Sequence, residues 1–344
     1  MYKLKGIALA LAALFVPSLA SAHEIYVLPK SAIEAGLAAV SPNPFSAYYG
    51  NEYQFYFWAF VTLVVVSTIF AATIFRVFER STASFFRYIK RYALAFVRLG
   101  VGACFMFFAY NSALFGPEYP FEMLFGSGLL AEVAALMSLL FGIAILIGLF
   151  TRYIALGLIA LWIYAATQVG ITILDYADFL GAFILLFALG GGMWSVDHLL
   201  NIRGPFRNAS TRLHPYAFPI MRTALGFGAM FAAVYAKYIH SALALEVVTR
   251  YDLTNYFPFD PLFVVLGALI IEFLAGAMLF FGVAIRWTGV FFIFWLTLSL
   301  LYFTEAVWPH LILFTLGLAL FCHGYDKYSL EGMFFKRRHS EPVL

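Results

Sequence analysis

Charge is what this chain has least of. Asp, Glu, Lys and Arg together make up 11% of its 344 residues, against 64% hydrophobic ones. So few polar side chains cannot cover a soluble globule of that size, so the composition is that of an integral membrane protein. Cysteine is scarce too, with Cys104 and Cys322 alone in separate apolar runs. That excludes a CxxC redox pair and a thiolate zinc site, and leaves both as small buried side chains. No Gly-rich phosphate loop, serine nucleophile elbow or paired metal-ligand motif occurs. The formal net charge of +3 is not gathered into a basic tract interleaved with aromatics, so no nucleic-acid partner is expected. The basic residues are read instead by their place relative to a bilayer.

What the chain does have is long apolar stretches. Residues 1–22 read as a signal peptide: Lys3 and Lys5, an apolar run from Gly6 to Val16, then Ala20-Ser21-Ala22. Cleavage after Ala22 leaves His23 as the first residue on the extracytoplasmic side; an uncleaved anchor is disfavoured by the short apolar core ending at Pro17. Nine further runs are candidates to cross a hydrocarbon core of about 30 Å. They are 55–75, 92–114, 129–150, 153–174, 177–194, 218–240, 262–284, 287–304 and the short 308–323. Alternation from an outer residue 23 puts Arg76, Arg80, Arg87, Lys90, Arg91, Arg152, Arg203, Arg207, Arg212, Arg286, Lys327, Lys336, Arg337 and Arg338 inside, and only Lys30 and Arg250 outside. This bias predicts a multi-pass protein of a bacterial inner membrane, with an extracytoplasmic mature N-terminus and a cytoplasmic C-terminus.

The second half repeats the first. Residues 138–197 align without a gap to 272–331, pairing Gly142 with Gly276, Gly148 with Gly282, Arg152 with Arg286, Gly190 with Gly324, Ser195 with Ser329 and Asp197 with Glu331. Upstream, Arg98 matches Arg222, Gly102 matches Gly226 and Met106 matches Met230, with an offset smaller by ten residues. The ten residues are an insertion between 239 and 261. The predicted fold is all-α: two parallel four-helix transmembrane bundles plus one extra N-terminal transmembrane helix, nine spans in all. Its parts are a signal peptide (1–22), an extracytoplasmic segment (23–54), an extra helix with a basic cytoplasmic loop (55–91), a first module (92–197), a cytoplasmic linker (198–217), a second module (218–331) and a basic tail (332–344). The 23–54 segment, with Tyr48, Tyr49 and Tyr53, reads as an interfacial aromatic belt, too short for a core of its own.

Ionisable groups inside spans are expensive, at least about 2.5 kcal/mol each near mid-membrane. Arg98 and Arg222 lie one to two turns from helix ends, where snorkelling and interfacial anchoring are expected. Glu272 is different, because a short side chain near mid-depth cannot reach water and must be protonated or paired. Lys237 and Tyr235 on the preceding span and Tyr302 on the following one are its candidate partners. Both a structural hydrogen bond and a role in proton or ligand handling fit that position. Three histidines, His23, His240 and His310, fall on the outer side. A mature N-terminal amine beside the His23 imidazole makes a copper chelate that either other histidine could complete, whereas lone interfacial histidines are ordinarily surface residues. His198, His214, His323 and His339 show no ligand spacing.

Three pieces together resemble the DoxX/DoxD superfamily: Arg222-x-x-x-Gly226, Glu272-x-x-x-Gly276 followed by Gly282 and Arg286, and Gly324-x-x-x-Tyr328-Ser329-Leu330-Glu331. The first copy fits through Arg98, Gly142, Gly148, Arg152 and Gly190 to Asp197, so the likeness covers 92–197 and 218–331. The resemblance implies a four-helix membrane module, a polar site at Glu272 and Lys237, and a first copy, with Ser138 and Ala113 in those places, that is mainly structural. Some relatives are membrane subunits of thiosulfate:quinone oxidoreductase or terminal quinol oxidase systems, and others assist maturation of periplasmic redox proteins. The function it implies is a non-catalytic or quinone-interacting membrane subunit of a respiratory or redox assembly, with quinone as ligand through Glu272, Lys237, Tyr235 and Tyr302. The alternatives are an assembly or scaffold protein for periplasmic redox partners, and copper handling through His23.

Overall fold

The computed structural model describes residues 27–49, 51–202, 204–304 and 307–335. The signal peptide, His23 and the tail beyond residue 335 lie outside the described residues. Among those described, every regular element is helical, apart from one isolated bridge between Ala113 and Pro120. In chain order they are α1 (Lys30–Ala38), α2 (Asn51–Ser81), α3 (Ala83–Ile89), α4 (Ala93–Asn111), α5 (Phe121–Phe125), α6 (Leu129–Ile147), α7 (Thr151–Val169), α8 (Ala177–Leu189), α9 (Val196–Leu199), α10 (Arg207–Leu213), α11 (Ala217–Val234), α12 (Ser241–Arg250), α13 (Pro261–Phe281), α14 (Ile285–Phe303) and α15 (Leu311–His323).

Seven described helical stretches are long and apolar enough to cross a membrane, and Trp308–His323 is a shorter apolar helix. The difference from the nine expected runs lies in that short helix and in Thr151–Leu189, a stretch of 39 residues. In it a 3-10 turn, Gly170–Tyr176, joins α7 to α8, and the two helices pack side by side. In such surroundings backbone polar groups have no water to turn to, so helices are the forms that satisfy them locally.

Helix ends are set by identifiable residues. Gly148 and Gly282 close α6 and α13 with φ of 72° and 73°, each in a Schellman turn. Leu149 N–H bonds Ala144 O at 2.8 Å, and Val283 N–H bonds Met278 O at 2.8 Å. Asp260 caps α13 by accepting from Leu262 N–H at 2.8 Å, with Pro261 at the first helical position.

The closest packing runs in two rows, α6–α4–α15–α14 and α7–α8–α11–α13. Each row joins two helices from 92–197 to two from 218–331. Within the rows small residues let backbones touch. A Cβ on Gly142 would stand 2.8 Å from the Gly102 carbonyl oxygen, and one on Gly276 would stand 2.8 Å from that of Gly226. Between the stretches, Gly100 of α4 sits against Thr315 of α15, and Gly181 of α8 against Ala224 of α11. Gly100 aligns with Ala224 and Gly181 with Thr315, so one contact is made twice with its small member exchanged. Dispersion and close approach hold helices together where lipid removes the hydrophobic drive. Gly276→Leu is accordingly expected to cost about 1–3 kcal/mol or more, because the Gly226 carbonyl and the Met230 backbone N–H, which cannot move aside as a side chain can, face the added atoms. Gly157→Ala, where a Cβ meets nothing within 4 Å, should stay within about 0.5 kcal/mol. Thermal unfolding of the two variants in one detergent checks the contrast.

The extra helix α2 touches the rest near its ends. Tyr53 packs on Phe263 with ring centres 5.1 Å apart, and Phe75 stacks on Trp287 at 3.9 Å. Trp287 Nε1 donates to Glu79 Oε1 at 3.0 Å. Between these anchors Leu63, Ile69 and Phe70 are exposed. The segment before α2, expected to form an interfacial belt, is folded onto the insertion. Leu28, Leu243 and Val247 form a small core, Tyr251 Oη donates to Val27 O at 3.1 Å, and Ser241 Oγ donates to Pro42 O. Neither stretch carries a core alone, and together they make a cap.

Candidate functional site

Lys237 and Glu272 meet. Helix α11 runs into a π-helical turn, Tyr235–Ile239, whose wider spacing is a common device at functional positions. Lys237 is buried on that turn, with Nζ 2.8 Å from Glu272 Oε2. Trp295 of α14 donates Nε1–H to the other oxygen, Glu272 Oε1, at 3.3 Å. One carboxylate on α13 thus joins α11 and α14. The Glu272 side chain retains 22% exposure and that of Lys237 8%, so the pair opens at the bundle's surface on the carboxylate side.

The two tyrosines expected there have other contacts. Tyr235 lies parallel to Phe231 with centroids 5.7 Å apart and edge-on to His240 at 4.7 Å. Tyr302 Oη donates to Tyr251 O at 2.9 Å, tying α14 to the cap. His310 is buried and His240 half-buried. No group of three or more His, Cys, Asp or Glu side chains able to hold a metal ion occurs among the described residues. His23, the first proposed copper ligand, lies outside them.

Arg98 and Arg222 do not snorkel. Both are buried, at 8% and 2% exposure, because partners inside the fold replace water. Arg98 donates to Gly191 O and Trp194 O, each at 2.5 Å. Arg222 Nη1 donates to Leu279 O and Phe280 O, while Nε lies 3.1 Å from Asp326 Oδ2. Arg222 thereby supplies donors to carbonyls at the end of α13, and Arg98 to carbonyls of the turn that follows α8. Nearby, Asp197 accepts from Phe150 N–H at 2.7 Å and Thr151 N–H at 2.8 Å, capping α7. A polar cavity of about 220 Å³ adjoins it, lined in part by Arg152, Asp197, His198 and the Gly190–Gly192 backbone.

Sequence reasoning missed Asp178. It is buried in the first turn of α8 and its Oδ2 makes no hydrogen bond among the described residues. Its position one residue inside an apolar run was the available signal, and an acid in a first turn is also the ordinary choice against the helix dipole. At the same end, Tyr176 Oη donates to Glu118 and Tyr119 Oη to Thr172 Oγ1 at 2.7 Å. Burial pushes the Tyr119 phenol above its usual range, against the opposing effect of the Thr172 bond.

A larger, apolar cavity of about 620 Å³ opens between α6 and α7, with Ser138 and Tyr164 as its hydroxyl-bearing lining residues. Glu272 occupies the position matching Ser138, and Trp295 the one matching Leu161 on the cavity's other wall. Comparison of the chain with family models, with characterised proteins and with solved structures finds no match.

Proposed function

We propose that the chain is a DoxX-like, non-catalytic membrane subunit of a respiratory or redox assembly, and that its Lys237–Glu272–Trp295 cluster hydrogen-bonds the head group of a quinone-like molecule arriving from the bilayer. In this reading α7 and α8 cross separately and Trp308–His323 completes nine crossings, with two copies of one module running parallel. The arginine end faces the cytoplasm of a bacterial cell, and the cap of 27–48 with α12 faces outward. The observation that carries the reading is a charged pair set among apolar helices with its carboxylate partly open. Trp295 Nε1–H and the ammonium N–H groups are donors that suit carbonyl oxygens, and Glu272 suits a quinol hydroxyl.

Quinone retained through gentle purification is the expected result, with at least a tenfold loss in Glu272→Gln. Trp295→Phe, which removes one neutral donor, should weaken retention by about 1 kcal/mol, roughly fivefold. Equal quinone in wild type and both variants would refute the site. A scaffold role is favoured by the cap, a folded surface built from the segment before α2 and α12. Under that reading the same purification yields partner proteins and no quinone, and partners are lost when the Leu243 and Val247 contacts to Leu28 are disrupted.

A further inference from the structure

We propose that the cleft between α6 and α7 is a binding site for one acyl chain of a membrane phospholipid. The inference is independent of the quinone reading. The packing rows meet at two edges, α6 beside α7 and α13 beside α14, and at both the helices touch less than within the rows. At the second edge the chain fills the gap itself: Phe291 lies parallel to Trp295 at 6.0 Å, and Trp295 bonds Glu272. At the first edge the matching residues are Gly157, Leu161 and Ser138. A Cβ on Gly157 would meet nothing within 4 Å, and these three residues line the cavity of about 620 Å³.

The shape and chemistry select the occupant. Only Gly148, Leu149 and Phe150 join α6 to α7 at one end, and Phe121 and Phe125 of α5 line the space at the other, so the cleft is a slot bounded at both ends. Such a slot admits a hydrocarbon chain and excludes a helix about 10 Å across. Its volume lies within the ordinary range of small-ligand sites. Head-group recognition is poorly provided for: the Tyr164 hydroxyl is committed to Leu124 O at 2.7 Å, and no charged side chain lines the space. Phospholipid is the solvent of the bilayer, so mass action favours its chains over scarcer lipophiles. An empty apolar space beside liquid hydrocarbon would also forfeit dispersion contacts that a chain restores.

The test uses the full chain reconstituted in phosphatidylcholine vesicles carrying a photoreactive diazirine on one acyl chain, followed by peptide mapping. Labelling concentrated on 130–141 and 157–164 is expected. Gly157→Phe, which installs the residue found at the matching position 291, should cut it at least tenfold. Gly267→Phe, placed where a Cβ likewise meets nothing within 4 Å, serves as the control for folding and should leave it unchanged. Equal labelling in both variants would overturn the site. A photoreactive isoprenoid quinone that labels 130–141 and 157–164 in place of the phospholipid would overturn the occupant.

Discussion

Arg222→Met is expected to lower stability by about 3–5 kcal/mol, the cost of leaving one member of a buried ion pair alone. The guanidinium at 2% exposure holds three groups at once: the Asp326 carboxylate at 3.1 Å and the carbonyls of Leu279 and Phe280. Its removal strands the Asp326 carboxylate, itself buried, with one remaining bond from Tyr328 N–H at 2.8 Å. Arg98→Met is the comparison, because Arg98 binds two carbonyls and the residue matching Asp326 is Gly192. It frees acceptors without stranding a charge, so its cost should be smaller. Heat-induced loss of monodisperse protein in detergent orders the variants: wild type, then Arg98→Met, then Arg222→Met. Adding Asp326→Asn to Arg222→Met should recover part of the loss. Equal midpoints for the two single variants would show that the Asp326 pair contributes nothing.

The apolar runs made the helices legible, and the fold kept their centres: the expected 262–284 is the observed Pro261–Phe281, and 287–304 is Ile285–Phe303. The Glu272 partner was legible for the same reason, since few charges sit in such runs and Lys237 lies on the neighbouring helix. Trp295 was not, because a tryptophan in an apolar run reads as packing or as interfacial belt. Tyr302 is seven residues further along α14, about 10 Å of helix rise, and that distance carries it to Tyr251. The arginines illustrate a different limit. Periodicity puts Arg98 near a helix end, but the carbonyls that bury it belong to residues 93 and 96 positions later, and no local pattern reports them. The repeat likewise named the unit without its neighbours. Which helices share a row depends on pairs such as Gly100 with Thr315, where the informative residue is small.

Lys237→Met is expected to match the Arg222 variant in severity, about 3–5 kcal/mol, because Glu272 then faces apolar neighbours with Trp295 as its one remaining partner. Lys237→Met combined with Glu272→Met should behave otherwise. Desolvation of two ions consumes most of what their attraction returns, so replacing both with apolar side chains of similar length is commonly neutral or stabilising by about 1–4 kcal/mol. A double-mutant cycle on thermal unfolding reads the coupling directly. The cycle also separates structure from function at this site. If the double variant is as stable as the wild type and has lost quinone, the fold does not need the pair and ligand binding does. If the double variant is as unstable as Lys237→Met, the pair is a structural clamp joining α11, α13 and α14. The π-turn that directs Lys237 inward would then serve packing, and the search for a polar binding site would move to the cap.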